Sequence, residues 1–317
     1  MVDYAKFAAH ELPHGIMFHH FHGAGHPMVQ GSISSDQLAD MVTFLGGKRR
    51  ILDASMWLEK ALAGRLEKDD LCLTFDDSLL CQKTVAVPVL KSLGYTGMFF
   101  VYSSVFQGGL ERLEIYRAFR TRYFENVDAF YDKFFEEVER SDFCGICRTA
   151  LGGFVPGDYL ADFPFYSDSD RTFRFLRDRV LDSDGYNGLM EAMIGRVTSV
   201  EDLSQSLWMQ NDDLVDLSMD GHIVGLHSHS HPTTLVDQSP TQQEMEYSLN
   251  KEHLTSILGV APQTMSHPCN SYDQTTLDIL LRLGVNVGFQ ASMASPGVTK
   301  LEFPREDHSN VLAMMRR

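Results

Sequence analysis

Short apolar runs alternate with amphipathic stretches over the first hundred residues and again from about residue 208, and few folds accept that rhythm. "GIMFHHF" (15–21), "LCLTFDD" (71–77) and "TGMFFVY" (96–102) read as buried strands. "SSDQLADMVTFLGG" reads as a helix capped by Ser35, with Leu38, Met41, Val42 and Leu45 on one face. "DASMWLEKALAGRL" is a second helix, and "CQKTVAVPVLKSLG" a third that Pro88 kinks. The rhythm resumes with the strand "HIVGL" and the helix "SPTQQEMEYSLNKEHLTSILG", where Ser239 is the cap and Pro240 the first helical residue. The strand "TMSHP", the helix "DQTTLDILLRLG" and the strand "NVGFQA" follow. This order is the signature of an α/β fold with parallel strands.

Between about 106 and 207 the rhythm stops. "RLEIYRAFRTRYFENVDAFYDKFFEEVER" and "SDRTFRFLRDRVL" are long, amphipathic and rich in Phe, Tyr and Arg, with no strand pattern between them. The expectation is a single domain over 1–317, with a core of 10–105 and 208–317 and a mostly helical insertion at 106–207 that caps the active site.

Composition removes several function classes. A net charge of -16 argues against a general nucleic-acid or anionic-membrane surface. Lys48, Arg49 and Arg50 form the one short basic run, read as a solvated loop. No stretch approaches the ~18 apolar residues that cross a bilayer. "MVDYAKFAAHELPHG" lacks the pattern of a secretory leader, and five cysteines, an odd number, fit a reducing compartment; the expectation is a cytoplasmic protein. Cys144 and Cys147 form a lone C-x-x-C without a second pair or histidines at matching spacing, so they read as bland thiols.

Two clusters carry chemistry. Asp76 and Asp77 end an apolar strand, where α/β folds bind ligands, and neighbours on a strand face opposite ways, so one can ligate a cation while the other acts as base. A helix N-cap pair is the bland alternative. In "GLHSHSHPT", His227 and His231 stand four apart with His229 between them. A tight loop brings such a pair onto one face for one metal, and Pro232 disfavours a helix there.

These residues make the chain resemble the polysaccharide deacetylases of carbohydrate esterase family 4, the NodB-homology family. "TFDDS" (74–78) is similar to that family's T-F-D-D-G, and "HSHSHP" (227–232) to its H-[ST]-x-x-H-P. "FHHFHG", "TGMFFV" and "LVDLSMDGHIVG" follow in the family's order, and the resemblance covers everything but the insertion. It implies a distorted (β/α)7-type barrel. It implies that Asp77, His227 and His231 hold one divalent metal, most often zinc, with cobalt, nickel or iron as alternatives. Asp76 becomes the base toward the attacking water, and His229 stays outside the ligand set.

The resemblance also shows departures. Ser78 replaces a glycine, and "SHPCN" stands where the family has Y-P-Y-G, so His267 and Cys269 shape the pocket, with the Cys269 amide as oxyanion donor. Arg305 in "FPREDH" is the candidate to orient the base, with Asp307 as helper. No clean L-x-x-H exists; His308 is the nearest general acid by chain order, with His19 or His20 as rivals. The implied activity is removal of an acetyl or formyl group from the nitrogen of an amino sugar, on a precursor of surface polysaccharide or lipopolysaccharide O-antigen. An amidase of small non-sugar amides and a catalytically silent sugar-binding protein are the rival readings. No oligomeric state follows from the sequence.

Overall fold

The apolar run at 71–77 becomes the longest strand, β3 (Asp70–Asp76), and it is buried along its whole length. The computed structural model describes residues 12–160, 167–293 and 299–316; the stretch read for a secretory leader lies almost wholly outside them. Around β3 stand β1 (His14–Phe18), β4 (Met98–Val101), β5 (Ile223–Leu226), β6 (Thr264–Ser266), β7 (Val287–Phe289) and β8 (Arg305–Asp307), in the order β7-β6-β5-β4-β3-β1-β8. The short β2 (Arg50–Ile51) pairs with the start of β3, and every pairing is parallel. Phe303, just before β8, bridges Phe289 of β7, with the Gln290 amide donating to the Phe303 carbonyl at 3.0 Å. The strands thus make the nearly closed, distorted (β/α)7-type barrel that the sequence implies.

Parallel register sets what lies inside. Gly15 is opposite both Cys72 and Arg305, Thr74 opposite Met98, and Asp76 opposite Phe100. Cys72, Met98, Phe100, Val287 and Phe289 pack with Trp57 into an apolar core, while Thr74 and Asp76, further along the same face of β3, reach Arg305. The lumen therefore runs from apolar to polar toward the C-terminal ends of the strands, where ligands bind in such folds. Gly15 has a steric role here: a Cβ at that position would meet Arg305 Cγ at 3.0 Å and Thr74 Cγ2 at 3.1 Å.

The helices follow their capping chemistry, with two shifts. The first, Ser35–Gly46, is capped by Ser34 rather than Ser35, because Gln37 then completes a capping box with the Ser34 backbone. Its buried face is Leu38, Met41, Val42 and Leu45, as the period requires. In the third, the irregularity precedes Pro88: Gln82–Ala86 forms a π turn and Val87–Leu93 the regular helix. Proline has no N–H for the helical ladder, and the wider turn before it accommodates that loss. Arg49 is largely withdrawn from water, whereas Arg50 stays exposed, and both are bonded. Arg49 donates to the Lys68 carbonyl at 2.9 Å, and Arg50 and Lys60 both pair with the buried Asp70.

The chain divides into two compact units, one running to Glu111 and resuming at Trp208, the other Arg112–Leu207. In the second, every regular element among the described residues is helical. Asn126 breaks its longest stretch into Arg112–Tyr123 and Val127–Arg140 by capping the latter through the Ala129 amide. Cys147 is buried and the Cys144 thiol donates to Glu139 at 3.4 Å; burial raises the pKa of both thiols, which disfavours the thiolate that redox or metal chemistry would need.

Candidate active site

Asp76 is the last residue of β3, and the backbone then leaves the extended region: Asp77 has φ 79° and Ser78 φ 59°. The alternation of a strand therefore stops between the two aspartates. Instead of facing opposite ways, both carboxylates reach the same mouth, with Asp77 Oδ1 3.5 Å and Asp76 Oδ2 4.0 Å from His227 Nε2. That corrects the expectation of a pair split across the sheet.

The histidine stretch leaves the end of β5 as a compact loop with left-handed turns at Ser228 (φ 63°) and His231 (φ 56°). His231 Nε2 lies 3.4 Å from Asp77 Oδ1, and donor atoms of Asp77, His227 and His231 all fall within 4.8 Å of one another. Asp77 Oδ1 is buried and receives no hydrogen bond of good geometry among the described residues, so three lone-pair donors converge on one point. That is the donor set and spacing of a divalent cation site.

The surroundings prepare this arrangement. His227 donates from Nδ1 to the Ser266 carbonyl at 2.9 Å, which fixes the tautomer and leaves Nε2 as a lone-pair donor. The Ser266 hydroxyl bridges His227 Nδ1 (2.7 Å) and Asp76 Oδ1 (3.2 Å). Arg305, 1 % exposed, forks onto Asp76 with Nη1–Oδ1 2.7 Å and Nη2–Oδ2 2.8 Å, and Nε donates to the Gln290 carbonyl at 3.0 Å. Burial would raise the Asp76 pKa, but the Arg305 charge outweighs it and holds the carboxyl below its ordinary value. Burial likewise opposes ionisation of Asp77, and the imidazoles of His227, His231 and His19 outweigh it.

The loop itself hangs from the helix Pro240–Leu258. Glu246 accepts from the His229 and Ser230 amides at 2.9 and 2.7 Å and from the Ser230 hydroxyl at 2.6 Å. One turn on, Asn250 accepts from the His227 amide at 3.0 Å and donates to the Val101 carbonyl at 2.9 Å. The His229 ring turns away from the cluster to the Ser103 hydroxyl, 2.9 Å away.

Other expected residues divide. Cys269 is exposed, with φ 49°, and its amide makes no backbone hydrogen bond among the described residues, which leaves that donor available to an oxyanion. His267 is 1 % exposed, stacks on Tyr272 at 3.8 Å and faces the Leu301 carbonyl at 2.9 Å; burial lowers its pKa to about 3, so it is a neutral wall residue. His308 does not fit the general-acid expectation. Its Nε2 faces the Gly31 carbonyl at 2.8 Å, its Nδ1 the Met17 carbonyl at 3.3 Å, and its ring stacks on Phe18. Asp307 caps the final helix through the Ser309 amide rather than helping the base. The rival His19 stands at the site, with Nε2 3.9 Å from Asp77 Oδ2. Sequence reading missed Ser266, Glu246 and Asn250.

Residues 193–288 match the family model for polysaccharide deacetylase. Among solved structures, the fold is similar to the Streptococcus pyogenes deacetylase PplD in complex with acetate, at TM-score 0.56 and 16% identity, covering 96% of this chain and 98% of that one. It is similar to IcaB from Ammonifex degensii at TM-score 0.54 and 13% identity, covering 96% of each chain. The BpsB deacetylase domain from Bordetella bronchiseptica follows at TM-score 0.51 and 12% identity, covering 93% of this chain and 94% of that one. At these identities the likeness is one of fold. No curated protein sequence matches.

Proposed function

We propose, for a chain that belongs with the polysaccharide deacetylases and so with the hydrolases of C–N amide bonds, that it removes an acetyl or formyl group from the nitrogen of an amino sugar. The observation that carries this reading is the convergence of Asp77, His227 and His231 beside an Asp76 that Arg305 grips with both nitrogens. A site that only bound sugar would have no use for an arginine-held carboxylate next to three metal-type donors.

Asp77, His227 and His231 would hold one divalent cation, with zinc the simplest fit to an N₂O donor set. When bound, that ion supplies Lewis acidity toward the amide carbonyl and acidity to a nearby water. Asp76 is the base: Arg305 and Ser266 fix its carboxylate, so it takes a proton without reorienting. The Cys269 amide donates to the oxygen on which charge develops. Because both His308 nitrogens are engaged, His19 takes the general-acid role toward the departing amine.

The substrate we favour is a saccharide precursor in surface-polysaccharide or lipopolysaccharide assembly rather than an external polymer, acted on in the cytoplasm. Free thiols at Cys72, Cys144, Cys147 and Cys269 support that compartment, and no helix among the described residues is long and apolar enough to cross a membrane. In this reading the chain is one deacetylase domain, and 106–207 is an insertion in it. The test is release of acetate or formate from N-acylated amino sugars by protein loaded with one equivalent of zinc. Wild type should turn over and Asp76→Asn should lose at least 100-fold in kcat. Tight sugar binding without any turnover would overturn the reading in favour of a silent binder, and turnover confined to small non-sugar amides would overturn the substrate class.

A further inference from the structure

The helical unit Arg112–Leu207 carries arginines that the hydrolytic reaction does not use. The helix Arg112–Tyr123 presents Arg117 and Arg120 three residues apart, and the helical run Asp168–Val180 presents Arg174 and Arg177 at the same spacing. Their floor is aromatic. The Arg120 guanidinium lies 6.0 Å from the Phe130 ring centroid and that of Arg177 lies 5.6 Å from Phe173. Those two rings meet edge to face at 5.5 Å, and Phe173 also meets Tyr131 at 5.1 Å and Tyr186 at 6.2 Å. Two cations are thus held over one cluster of rings.

Three of the four arginines have a carboxylate: Arg117 with Glu114 at 3.2 Å, Arg174 with Asp170 at 3.8 Å and Arg177 with Asp178 at 2.6 Å. Arg120 has none among the described residues. Its electrostatic neighbours are the phenols of Tyr131 and Tyr186 and the guanidinium groups of Arg117 and Arg174, and burial lowers its pKa. Asp170 is already engaged by the Tyr131 hydroxyl and Arg174. The half-buried Tyr186 makes no side-chain hydrogen bond among the described residues. A guanidinium withdrawn from water among like charges is costly unless an anion answers it. The chain has 43 acidic residues against 27 basic ones, so the missing partner is not a matter of supply.

We propose that Arg120, together with Arg117, Arg174, Arg177 and the Tyr186 hydroxyl, binds a phosphate or pyrophosphate group, with the Phe130–Phe173 floor available to a ring attached to it. Several guanidinium forks suit an anion with many equivalent oxygens better than a lone carboxylate. The inference goes beyond amide hydrolysis and holds whether or not an amide is cleaved.

The test is calorimetric titration of the full chain with inorganic pyrophosphate at constant ionic strength, followed by a nucleoside diphosphate sugar. Wild type should bind pyrophosphate, and Arg120→Gln should weaken binding at least tenfold. Arg122→Gln, on the same helix but bonded to the Ser206 hydroxyl, should leave it unchanged. Tighter binding of the sugar diphosphate than of pyrophosphate identifies a phosphorylated saccharide as the ligand, and equal binding identifies the anion alone; both support the site. Tyr186→Phe, which removes only a hydroxyl, should weaken binding several-fold and decides the matter if Arg120→Gln fails to fold. Absence of binding to wild type, or unchanged affinity in both variants, overturns the proposal.

Discussion

Asp77 at φ 79° and Ser78 at φ 59° occupy a backbone region that costs an ordinary residue on the order of 1 kcal/mol, and Ser78 also buries a hydroxyl with no hydrogen-bond partner among the described residues. The resemblance raised at "TFDDS" was to a motif ending in glycine, and the geometry shows why glycine suits the last position. Ser78→Gly is therefore expected to raise stability by about 1 kcal/mol in urea unfolding; a loss of that size would mean the serine makes a contact absent here. His267 supplies a second expectation. Its pKa is about 3 in the fold against an ordinary 6.5, so between those values the unfolded chain holds a proton that the folded chain does not. The stability it contributes is complete above pH 6.5 and is lost as pH falls toward 3, at about 1.4 kcal/mol per unit. Stability measured from pH 7.5 to 4.5 should fall less steeply in His267→Gln than in wild type, and identical slopes would contradict the assignment.

At the scale of elements, the histidine loop is held by the helix Pro240–Leu258, whose buried face is polar: Gln243, Glu246 and Asn250 accompany Tyr247 and Leu254. The cap and length of this helix were readable from Ser239, Pro240 and Gly259. Its purpose was not, because a stripe of Gln, Glu and Asn looks like a solvated face until partners as far as 149 positions away are known. The spacing of Gln243, Glu246 and Asn250 at three and four residues was the available signal. Asn250→Ala removes one of two partners from the His227 amide and one from the Val101 carbonyl, which still bond each other at 3.1 Å, and each lost hydrogen bond costs about 0.5–1.5 kcal/mol. Urea unfolding should show a loss of about 1–3 kcal/mol, with weakened zinc affinity in the same protein. Unchanged zinc affinity would separate the helix from the ligand geometry. Gly15→Ala tests a different element: a Cβ there displaces Arg305, so kcat should fall while bound zinc stays stoichiometric.

For the molecule as a whole, the strand–helix rhythm and two short motifs were enough to place a (β/α)7-type barrel and the residues at its mouth. They were enough because parallel strands deliver all their C-terminal ends to one rim. The general acid we propose, His19, was not readable by order along the chain. His308 follows Arg305 closely, yet it starts a helix and turns both nitrogens to carbonyls, whereas His19 reaches the rim simply by following β1. Ser266 was hidden for a similar reason, since one serine in "TMSHP" carries no mark of the His227 and Asp76 it bridges. The central claim is that Asp77, His227 and His231 bind one metal ion while Asp76 does not. Metal content of purified wild type, His231→Ala and Asp76→Asn tests it most directly. About one equivalent is expected in wild type and in Asp76→Asn, with most of it gone in His231→Ala. Full metal retained by His231→Ala, or lost by Asp76→Asn alone, would contradict it.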